Sequence, residues 1–414
     1  FNGEIYNFKE IRSELIRFGY TFRSNSDTEV LLAAYSKWGN ECLDRLNGMF
    51  SFAIYDGKRK RMFFARDRAG EKPFFYRIEE NTIYFASELK ALLSNKKLPR
   101  KIDSESLDCY LSMGFVPGER CILEGYNKLQ PAHAMSFNLE DGNQRIWKYW
   151  EKPELINDRN RIEIPLILDE LETILENTVA EQLIADVPVG VLLSGGLDSS
   201  IITAMAARRF KKVKTFSIGF KNKKYNETIY AKQIANYFST DHTELLAEES
   251  SAELLPKLVK QFDEPIVDSS MFPTYIISEL VSDYCKVAIG GDGGDELFGG
   301  YKHYNRLIWM KENLSLFPQV LLNCIGYSSE KILPTGSIGR NYLTGLKENL
   351  NHSLPLIATY FNLNERRNLL IDHKNHKFEA EIIYKKLIPS TKDLLQRATT
   401  MDFNTYLPED ILVK

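Results

Sequence analysis

The sequence predicts a mixed α/β protein in which an antiparallel α+β region precedes a doubly wound parallel sheet. Across residues 1–150, short β-type segments follow one another with turn residues between them. From about residue 165, helical and strand patterns alternate, as they do in parallel sheets. The length of 414 residues exceeds that of one ordinary core, so two domains are expected.

The first region begins with two helical patterns, over residues 7–18 and 28–38. Four β-type segments follow them, over residues 49–55, 61–65, 74–76 and 82–86. Turn residues such as Asp56-Gly57 separate neighbouring segments, which predicts antiparallel pairing. The polar stretch 149–161 interrupts this pattern and is predicted to be a linker, which gives domains over residues 1–150 and 165–414.

The second region alternates predicted helices and strands. The strands cover residues 187–193, 214–220, 242–247 and 286–289. The helices cover residues 167–183, 226–238 (with Asn226 as predicted N-cap) and 273–284, and a further one begins at Ile201. Residues 305–400 have mostly helical patterns. Since parallel sheets bind ligands at the carboxyl ends of their strands, the loops after the first and last of these strands are the candidate site.

The composition is that of a globular protein, with 43% hydrophobic and 26% charged residues and a net charge of -3. This balance gives no reason to expect a nucleic acid or a membrane surface as partner. There is no apolar run of membrane-spanning length and no secretory signal, so we expect a cytoplasmic protein. The five cysteines form no CxxC pair, which argues against a zinc site or a disulfide framework.

The run Leu-Leu-Ser-Gly-Gly-Leu-Asp-Ser-Ser at residues 192–200 carries the strongest functional signal. A Ser-Gly-Gly turn between a strand and a helix presents consecutive backbone N–H groups that bind anions. Gly195 and Gly196 let the backbone approach a phosphate, and three hydroxyls add donors, those of Ser194, Ser199 and Ser200. Asp198 would repel phosphate unless a divalent metal bridged the two, which predicts a magnesium–pyrophosphate site. The Lys of a Walker A loop is missing, and the alternative is an ordinary strand–helix turn.

A second glycine-rich loop, Gly-Gly-Asp-Gly-Gly-Asp-Glu, follows the last predicted strand at residues 290–296. Its spacing does not match an EF-hand loop. The glycines allow close contact with a nucleotide, and an Asp of this loop opposite Asp198 would complete a metal site. A flexible acidic turn is the alternative.

These residues resemble the glutamine-dependent asparagine synthetases of the bacterial type, and the similarity extends from one end of the chain to the other. The second region is similar to the ATP-pyrophosphatase domain of that family. The resemblance implies that ATP lies on the Ser-Gly-Gly loop, with adenosine contacts from Leu192, Ile218, Gly290 and Gly291. It also implies that Asp198 and Asp295 bind magnesium–pyrophosphate. Asp292 takes the place of a Glu that many relatives use in aspartyl-adenylate chemistry, and it is shorter by one methylene.

The first region resembles a class II glutaminase domain of the N-terminal-nucleophile type. Asn2 and Gly3 match the segment that faces the oxyanion of the tetrahedral intermediate. Glu4 and Asp27 match positions that bind the amino-acid end of glutamine. The segments 66–73 and 85–90 extend the resemblance, and we interpret them as structural or interdomain rather than catalytic.

The family nucleophile is an amino-terminal Cys, whereas this sequence begins at Phe1, inside the domain. It also ends at Lys414, where relatives continue. We therefore expect a fragment of a longer protein, truncated at both ends, that does not hydrolyse glutamine by itself.

The resemblance implies an ATP-dependent amide ligase that makes asparagine from aspartate and glutamine-derived ammonia, through an aspartyl-adenylate, with release of AMP and pyrophosphate. Its cofactors would be ATP and Mg²⁺, and its partners the small molecules glutamine, aspartate and ATP. The sequence leaves open whether the protein forms a homodimer. One alternative is a relative that amidates a carboxylated sugar in surface-polysaccharide synthesis. Another is a non-catalytic, nucleotide-binding fragment.

Overall fold

The computed structural model describes residues 1–154, 163–220, 226–247, 252–314, 316–370, 377–391 and 393–414. The chain forms two compact units. The first unit comprises Phe1–Leu155, Phe262–Asp268 and Asp295–Val413, and the second comprises Ile156–Gln261, Ser269–Gly294 and Lys414. This division by contacts differs from the predicted pair of consecutive domains, because later parts of the chain pack with its beginning.

The first unit contains two antiparallel sheets, with strand orders β1-β2-β3-β7-β8 and β5-β4-β6. The strands are β1 Asn2–Ile5, β2 Gly48–Asp56, β3 Arg61–Arg66, β4 Phe75–Glu79, β5 Thr82–Ala86, β6 Asn127–Lys128, β7 His133–Asn138 and β8 Gln144–Lys148. The antiparallel pairing of this region is confirmed. The short strands β1, β6, β7 and β8 were not predicted, because they lack a clear alternation of apolar and polar residues.

Helices α1 (Phe8–Arg17) and α2 (Asp27–Trp38) pack on the larger sheet. The helix α1 buries Ile11 and Leu15, which are four residues apart and so lie on one face. The helix α2 begins where the Ser26 side chain accepts a hydrogen bond from the Thr28 N–H. Both helices were predicted, and each lies within a residue of its predicted bounds.

The remaining helices of the first unit follow later in the chain. They are α3 Leu89–Leu92, α4 Ser104–Met113, α11 Lys302–Leu314, α12 Gln319–Ile332, α13 Arg340–Gly345, α14 Leu363–Leu369, α15 Ala380–Leu387 and α16 Leu394–Asn404, with a π-helical turn at Leu407–Ile411. The short helix α10 covers Gly294–Phe298. Its first residue, Gly294, belongs to the second unit, and its other residues belong to the first unit.

Buried charges attach these later segments to the beginning of the chain. The Lys128 ammonium donates to carboxylate oxygens of Glu264, at 2.9 Å, and Glu409, at 2.5 Å, and to the Val116 carbonyl at 2.7 Å. Burial alone would lower the pKa of Lys128, but the two carboxylates together raise it to about 12. The Lys128 cluster, defined as Lys128, Glu264 and Glu409, therefore joins three segments that are distant in sequence.

A second buried ion pair connects helices α4 and α14 with the start of α15. Arg366 on α14 and Asp108 on α4 are both fully buried, and they meet at 2.6 Å. The second Asp108 oxygen accepts from the Ala380 N–H at the start of α15, at 2.8 Å. A paired and hydrogen-bonded charge of this kind is costly to break from one side.

The second unit contains a four-stranded sheet of order β11-β10-β9-β12 in which all pairings are parallel. Its strands are β9 Val189–Leu192, β10 Lys214–Phe220, β11 Asp241–Ala247 and β12 Val287–Ile289. Its helices are α5 Ile164–Gln182, α6 Leu197–Arg209, α7 Thr228–Phe238, α8 Leu255–Gln261 and α9 Met271–Val281. The predicted alternation and the parallel sheet are confirmed.

Three local expectations need correction. The helix predicted to begin at Ile201 begins four residues earlier, at Leu197, so the glycine-rich loop runs straight into it. Glu227, not Asn226, is the N-cap of α7, although the Asn226 side chain accepts from the Thr228 N–H at 3.1 Å. The predicted linker begins too early, because the Tyr149 hydroxyl donates to the Arg66 carbonyl within the first unit; residues 155–161 of that linker lie outside the described residues.

Candidate functional site

The carboxyl edge of the parallel sheet carries the Ser-Gly-Gly loop. Strand β9 ends at Leu192, and α6 begins at Leu197 with Asp198 in its first turn. The first N–H groups of a helix have no acceptor within the helix, so this turn presents donors and the positive end of a helix dipole. The strand–turn–helix geometry that the sequence predicted for an anion site is therefore present.

The serine hydroxyls of this loop bond to the loop itself. The Ser194 and Ser199 hydroxyl oxygens lie 2.9 Å apart, and the Gly196 N–H donates to Ser194 Oγ at 3.1 Å. The Ser200 hydroxyl donates to the Gly196 carbonyl at 2.6 Å. These bonds fix the loop backbone, so the hydroxyls shape the turn as well as being candidate donors to a ligand.

Gly195 is required by the packing of this loop. Its φ of +84° is rarely adopted by residues with a side chain. A Cβ at this position would lie 2.6 Å from both the Ala231 N and the Tyr230 Cβ at the start of α7. Any other residue would push the loop away from α7.

The second glycine-rich loop reaches the Asp198 side chain. A Cβ on Gly291 would lie 2.9 Å from the Asp198 Cβ, and a Cβ on Gly294 would lie 3.0 Å from the Asp198 Cγ. Strands β9 and β12 are paired in parallel, with Ile289 opposite Val191, so both loops leave the sheet at the same edge. The structure thus brings together the two loops that the sequence placed there separately.

Asp292 lies at the exposed tip of this second loop. Its carboxylate Oδ2 would be 2.9 Å from a Cβ on Gly290, so Gly290 leaves room for it. Partial loss of solvent around the carboxyl group raises the pKa of Asp292, and the positive charge of Lys414 acts in the opposite direction. Lys414 also donates to the Ser270 hydroxyl at 2.7 Å.

Two of the four predicted adenosine contacts, Leu192 and Ile218, lie on neighbouring strands. Leu192 ends β9 and packs partly against the cluster of Phe216 and Leu245. Ile218 lies on β10 opposite Leu245 of β11. Both positions are half-buried near the carboxyl ends of their strands.

The two predicted magnesium ligands fall in different units, Asp198 in the second and Asp295 in the first. Among the described residues, no group of three or more His, Cys, Asp or Glu side chains could hold a metal ion. Mg²⁺ is commonly bound by one or two carboxylates and completed by substrate phosphates and water, so a pair of aspartates fits this chemistry. The metal site stays a prediction.

In the first unit, Asn2 and Gly3 lie on the edge strand β1. Gly3 faces Phe50 across the pairing of β1 with β2. With a φ of +145°, a Cβ on Gly3 would lie only 2.0 Å from the Met49 carbonyl oxygen. The Asn2 side-chain amide donates to the Ser87 hydroxyl at 3.2 Å. The pair therefore lies in a paired strand rather than in a turn.

The other two predicted glutamine contacts lie beside this strand. The Asp27 carboxylate accepts from the N–H of Ile5, the residue that follows Glu4, at 3.1 Å. Burial, followed by the negative charges of Glu71, Glu4 and Asp67, raises the pKa of the Tyr6 hydroxyl. Glu4 and Asp27 therefore lie close to the end of β1, and their role in binding glutamine stays a prediction.

Arg66 and Asp67 have the structural role that the sequence suggested. Both are almost fully buried. The Asp67 carboxylate accepts from backbone N–H groups that include those of Gly70, at 2.7 Å, and Glu71, at 2.9 Å. The Arg66 guanidinium donates to three carbonyls, including that of Leu129 at 2.9 Å. All of these partners are backbone groups, so the pair shapes the loop.

Sequence reasoning gave no role to Asp263 and Glu264. Asp263 accepts from the Leu89 and Lys90 N–H groups, at 2.8 and 3.1 Å, and Glu264 accepts from the Ile122 N–H at 2.7 Å. The sequence Asp263-Glu264-Pro265 was the only local sign that this segment is special. It could not reveal the hydrogen-bond partners, because they lie more than a hundred residues away in the chain.

An antiparallel sheet with flanking helices, joined to a parallel sheet that has two glycine-rich loops at its carboxyl edge, defines a two-part α/β protein. A sequence model described as asparagine synthase matches residues 170–414, and one described as a glutamine amidotransferase domain matches residues 1–150. The chain belongs to the asparagine synthase family.

Individual relatives agree with this assignment. A putative glutamine-hydrolysing asparagine synthetase of Methanocaldococcus jannaschii is 39% identical over 73% of this chain and 58% of its own length. Asparagine synthetase 1 of Bacillus subtilis, also named as glutamine-hydrolysing, is 31% identical over 100% of this chain and 65% of its own length. The chain thus spans less than two thirds of the length of either relative. Among solved structures, the glutamine phosphoribosylpyrophosphate amidotransferase of B. subtilis has a TM-score of only 0.26, at 15% identity over 62% of this chain and 49% of that chain.

Among the residues that the structure describes, no helix is long and apolar enough to cross a membrane.

Proposed function

We propose that this protein is an ATP-dependent amide ligase that makes asparagine from aspartate, with ammonia from glutamine. The observation that carries the proposal is the meeting of two glycine-rich loops at the Asp198 side chain, beside the first turn of α6. The names of the relatives, glutamine-hydrolysing asparagine synthetases, support the same activity.

In the proposed reaction, a carboxylate oxygen of aspartate attacks the α-phosphorus of ATP. The bond to the β-phosphate bridging oxygen breaks, and pyrophosphate leaves. Ammonia then attacks the acyl carbon of the aspartyl-adenylate, AMP leaves with the bonding electron pair, and the attacking nitrogen loses a proton. The N–H groups around Gly195 and Gly196 and the turn after them would bind the pyrophosphate oxygens.

The other predicted residues have separate tasks in this scheme. Leu192, Ile218 and the backbone at Gly290 and Gly291 would contact adenosine. Asp292, at the exposed loop tip, would act on the adenylate. Partial burial raises the pKa of Asp292, which favours proton uptake by its carboxylate, and that carboxylate could accept the ammonia proton.

Asp198 and Asp295 would hold Mg²⁺ with the phosphate oxygens. A bound Mg²⁺ neutralises the developing charge of the leaving group. Without a metal, two carboxylates next to pyrophosphate would repel it. We expect a cost to synthesis if either carboxylate is replaced.

In the first unit, Asn2 and Gly3 would donate to the oxyanion of the glutamine-derived intermediate. Glu4 and Asp27 would bind the amino-acid end of glutamine. The Asn2 amide, which donates to Ser87 in this structure, would have to turn toward the substrate.

The nucleotide product tests the proposal. The intact protein is supplied with ATP, Mg²⁺, aspartate and ammonium, and the products are identified by ion-exchange chromatography. AMP and pyrophosphate in equal amounts with asparagine are expected. ADP and orthophosphate would contradict the proposed cleavage. AMP formation with a carboxylated sugar, but not with aspartate, would assign a different acceptor, and no turnover with either would favour a nucleotide-binding role.

The paired variants Asp198→Asn and Asp295→Asn test the metal site. Each should reduce ammonia-dependent synthesis by about a hundredfold or more, because a ligand of the leaving-group metal is lost. When the variants are made in the complete protein, glutamine hydrolysis and the melting temperature should be retained. Asp283→Asn, on an exposed part of the second unit, is the charge-matched control. Near-normal synthesis with unchanged Mg²⁺ dependence would place the metal elsewhere.

A further inference from the structure

The helix α12 and the turn before it expose a band of large apolar side chains on the first unit. The α12 face is defined as the residues of this band, Leu316, Phe317, Val320, Leu321, Ile325, Tyr327 and Ile332, whose exposed fractions run from 38% to 88%. A helix at the surface of a globular protein normally presents polar residues to water. None of these residues has a role in binding ATP or glutamine, so the argument is independent of the proposed ligase activity.

The opposite side of α12 attaches the helix to its unit. Leu322, Gly326 and Ser329 are its buried residues, and their spacing of four and three places them on one side. A Cβ on Gly326 would lie 2.5 Å from the Lys347 Cγ, so this side is already in close contact. The α12 face therefore lies away from the packed side and is free for a partner.

Few charges oppose the approach of an apolar partner. Between residues 316 and 332, only Glu330 and Lys331 are charged. The Glu330 carboxylate is paired with the Lys347 ammonium at 2.6 Å, and its main-chain carbonyl accepts from the Arg340 guanidinium at 3.2 Å. Lys331 is exposed and forms no salt bridge among the described residues. Helices that lie on anionic membranes are rich in lysine and arginine, so a single free cation fits a lipid surface poorly.

The exposed area is that of a protein–protein interface. The seven side chains together expose the equivalent of about four fully exposed large side chains, on the order of 800 Å². Each partner in a stable complex buries about 800 Å², whereas the largest apolar patch on a typical monomer is about 300–600 Å². The area thus matches what one side of a dimer needs.

We propose that the α12 face binds the α12 face of a second copy of this chain, with the two helices antiparallel across a two-fold axis. Every copy carries the same patch, so this pairing covers both at once. Cys324 and Ser328 are small and exposed near the middle of the helix, which allows the helices to approach closely. Val320 and Ile332 lie near opposite ends, so each meets the other residue of the partner. The two Lys331 side chains start about 15 Å apart along the helices, beyond the reach of strong repulsion.

Sedimentation equilibrium of the full chain from about 1 to about 100 μM tests the proposal and should show a reversible dimer. Val320→Lys places a cation near Lys331 of the second copy and should raise the Kd at least about tenfold. Val320→Glu places a carboxylate there and should raise the Kd less. Ile174→Lys, at a 54% exposed apolar position on α5 of the second unit, is the matched control and should leave the Kd unchanged. Circular dichroism confirms the fold of each variant.

The native Cys324 reports on the same contact. It is exposed in the dilute monomer and lies within the proposed interface. Its rate of reaction with a disulfide thiol reagent should fall at least about fivefold between monomeric and dimeric concentrations, because the partner covers the thiol. In Val320→Lys this rate should not depend on protein concentration.

Several outcomes would overturn the proposal. They are a chain that stays monomeric over this range, a dimer that Val320→Lys leaves unchanged, and a dimer that Ile174→Lys dissociates instead. Equal weakening by Val320→Lys and Val320→Glu would exclude the antiparallel arrangement. A complete protein that is monomeric under the same conditions would assign the α12 face to a contact within that protein. Binding of the monomer to phosphatidylserine vesicles, lost in Val320→Glu, would assign the face to a membrane.

Discussion

At the scale of the single residue, two glycines show how backbone conformation and packing each limit substitution. Gly3 and Gly19 both have positive φ values, of +145° and +89°. They differ in their surroundings, because a Cβ on Gly3 would lie 2.0 Å from a backbone oxygen, whereas a Cβ on Gly19 would meet nothing within 4 Å. Gly3 is therefore fixed by conformation and by packing, and Gly19 by conformation alone.

This difference makes a matched pair of variants. Gly19→Ala should lower the free energy of unfolding by about 1 kcal/mol, the cost of a left-handed backbone for a residue with a Cβ. Gly3→Ala should cost at least about 3 kcal/mol, because strain and the steric clash add, and it should displace β1 from β2. Urea unfolding measures both. Equal small losses would mean that β1 can shift without cost.

At the scale of the element, buried ion pairs decide which segments pack together. The Lys128 cluster joins β6 to the segment 262–268 and to the turn Leu407–Ile411. Lys128 is only 4% exposed, so its removal leaves two carboxylates without their cation. Lys128→Met should therefore lower the free energy of unfolding by about 3–5 kcal/mol.

The measurement can be confined to the unit that contains the cluster. All four tryptophans, Trp38, Trp147, Trp150 and Trp309, lie in the first unit, so their fluorescence reports on its unfolding. Lys101→Met removes a cation from the exposed pair with Glu124 and should change little. Replacing Glu264 and Glu409 by Gln in the Lys128→Met background should recover part of the loss. A loss from Lys128→Met no larger than that from Lys101→Met would contradict this role.

The pairing of β10 with β11 contains a histidine that titrates. The two His242 ring nitrogens lie 2.9 Å from Thr215 Oγ1 and 3.2 Å from Ser217 Oγ, and burial lowers the pKa of His242 from 6.5. A histidine whose pKa is lower in the folded state resists protonation, so the unfolded state binds the proton first. Stability should therefore be retained above pH 6.5 and be lost as the pH falls below it.

The corresponding test compares stability at two pH values. Lowering the pH from about 7.5 to about 5.5 should decrease the free energy of unfolding less in His242→Gln than in the unaltered chain. Denaturant unfolding followed by circular dichroism measures this free energy at each pH. His352→Gln, at an exposed position of the first unit, is the control and should leave that loss unchanged. An acid-induced loss that is the same in His242→Gln and the unaltered chain would assign it to other groups.

At the scale of the whole molecule, the fold separates the cysteines into two classes. Cys42, Cys109, Cys121 and Cys285 are buried, and Cys324 is exposed. Burial raises the pKa of Cys42 to about 12, so its reactive thiolate form is scarce. A disulfide thiol reagent should therefore modify one thiol rapidly in the native chain and all five after denaturation. Cys324→Ser should abolish the rapid phase; its persistence would mean that a buried thiol becomes accessible.

The sequence by itself determined the features that depend on local pattern. The run 192–200 and the loop 290–296 were recognised because glycines, hydroxyls and carboxylates of a phosphate site stand next to each other in the chain. Strand β10 was predicted at its observed bounds, Lys214–Phe220, and its large apolar residues Phe216, Ile218 and Phe220 alternate with small residues as in a strand. The helix α2 was predicted from its helical pattern alone, and the structure added its N-cap, Ser26.

Only the tertiary structure decided which segments share a unit. Lys128 and Glu409 are 281 residues apart, and neither has a local signal that it is buried and paired. The same holds for Asp263, whose N–H donors are 174 and 173 residues away. The spacing of apolar residues shows which face of a helix or strand is buried. A buried charge, in contrast, is stable only beside a partner of opposite charge. Because that partner can be far away in the sequence, only the folded structure identifies it.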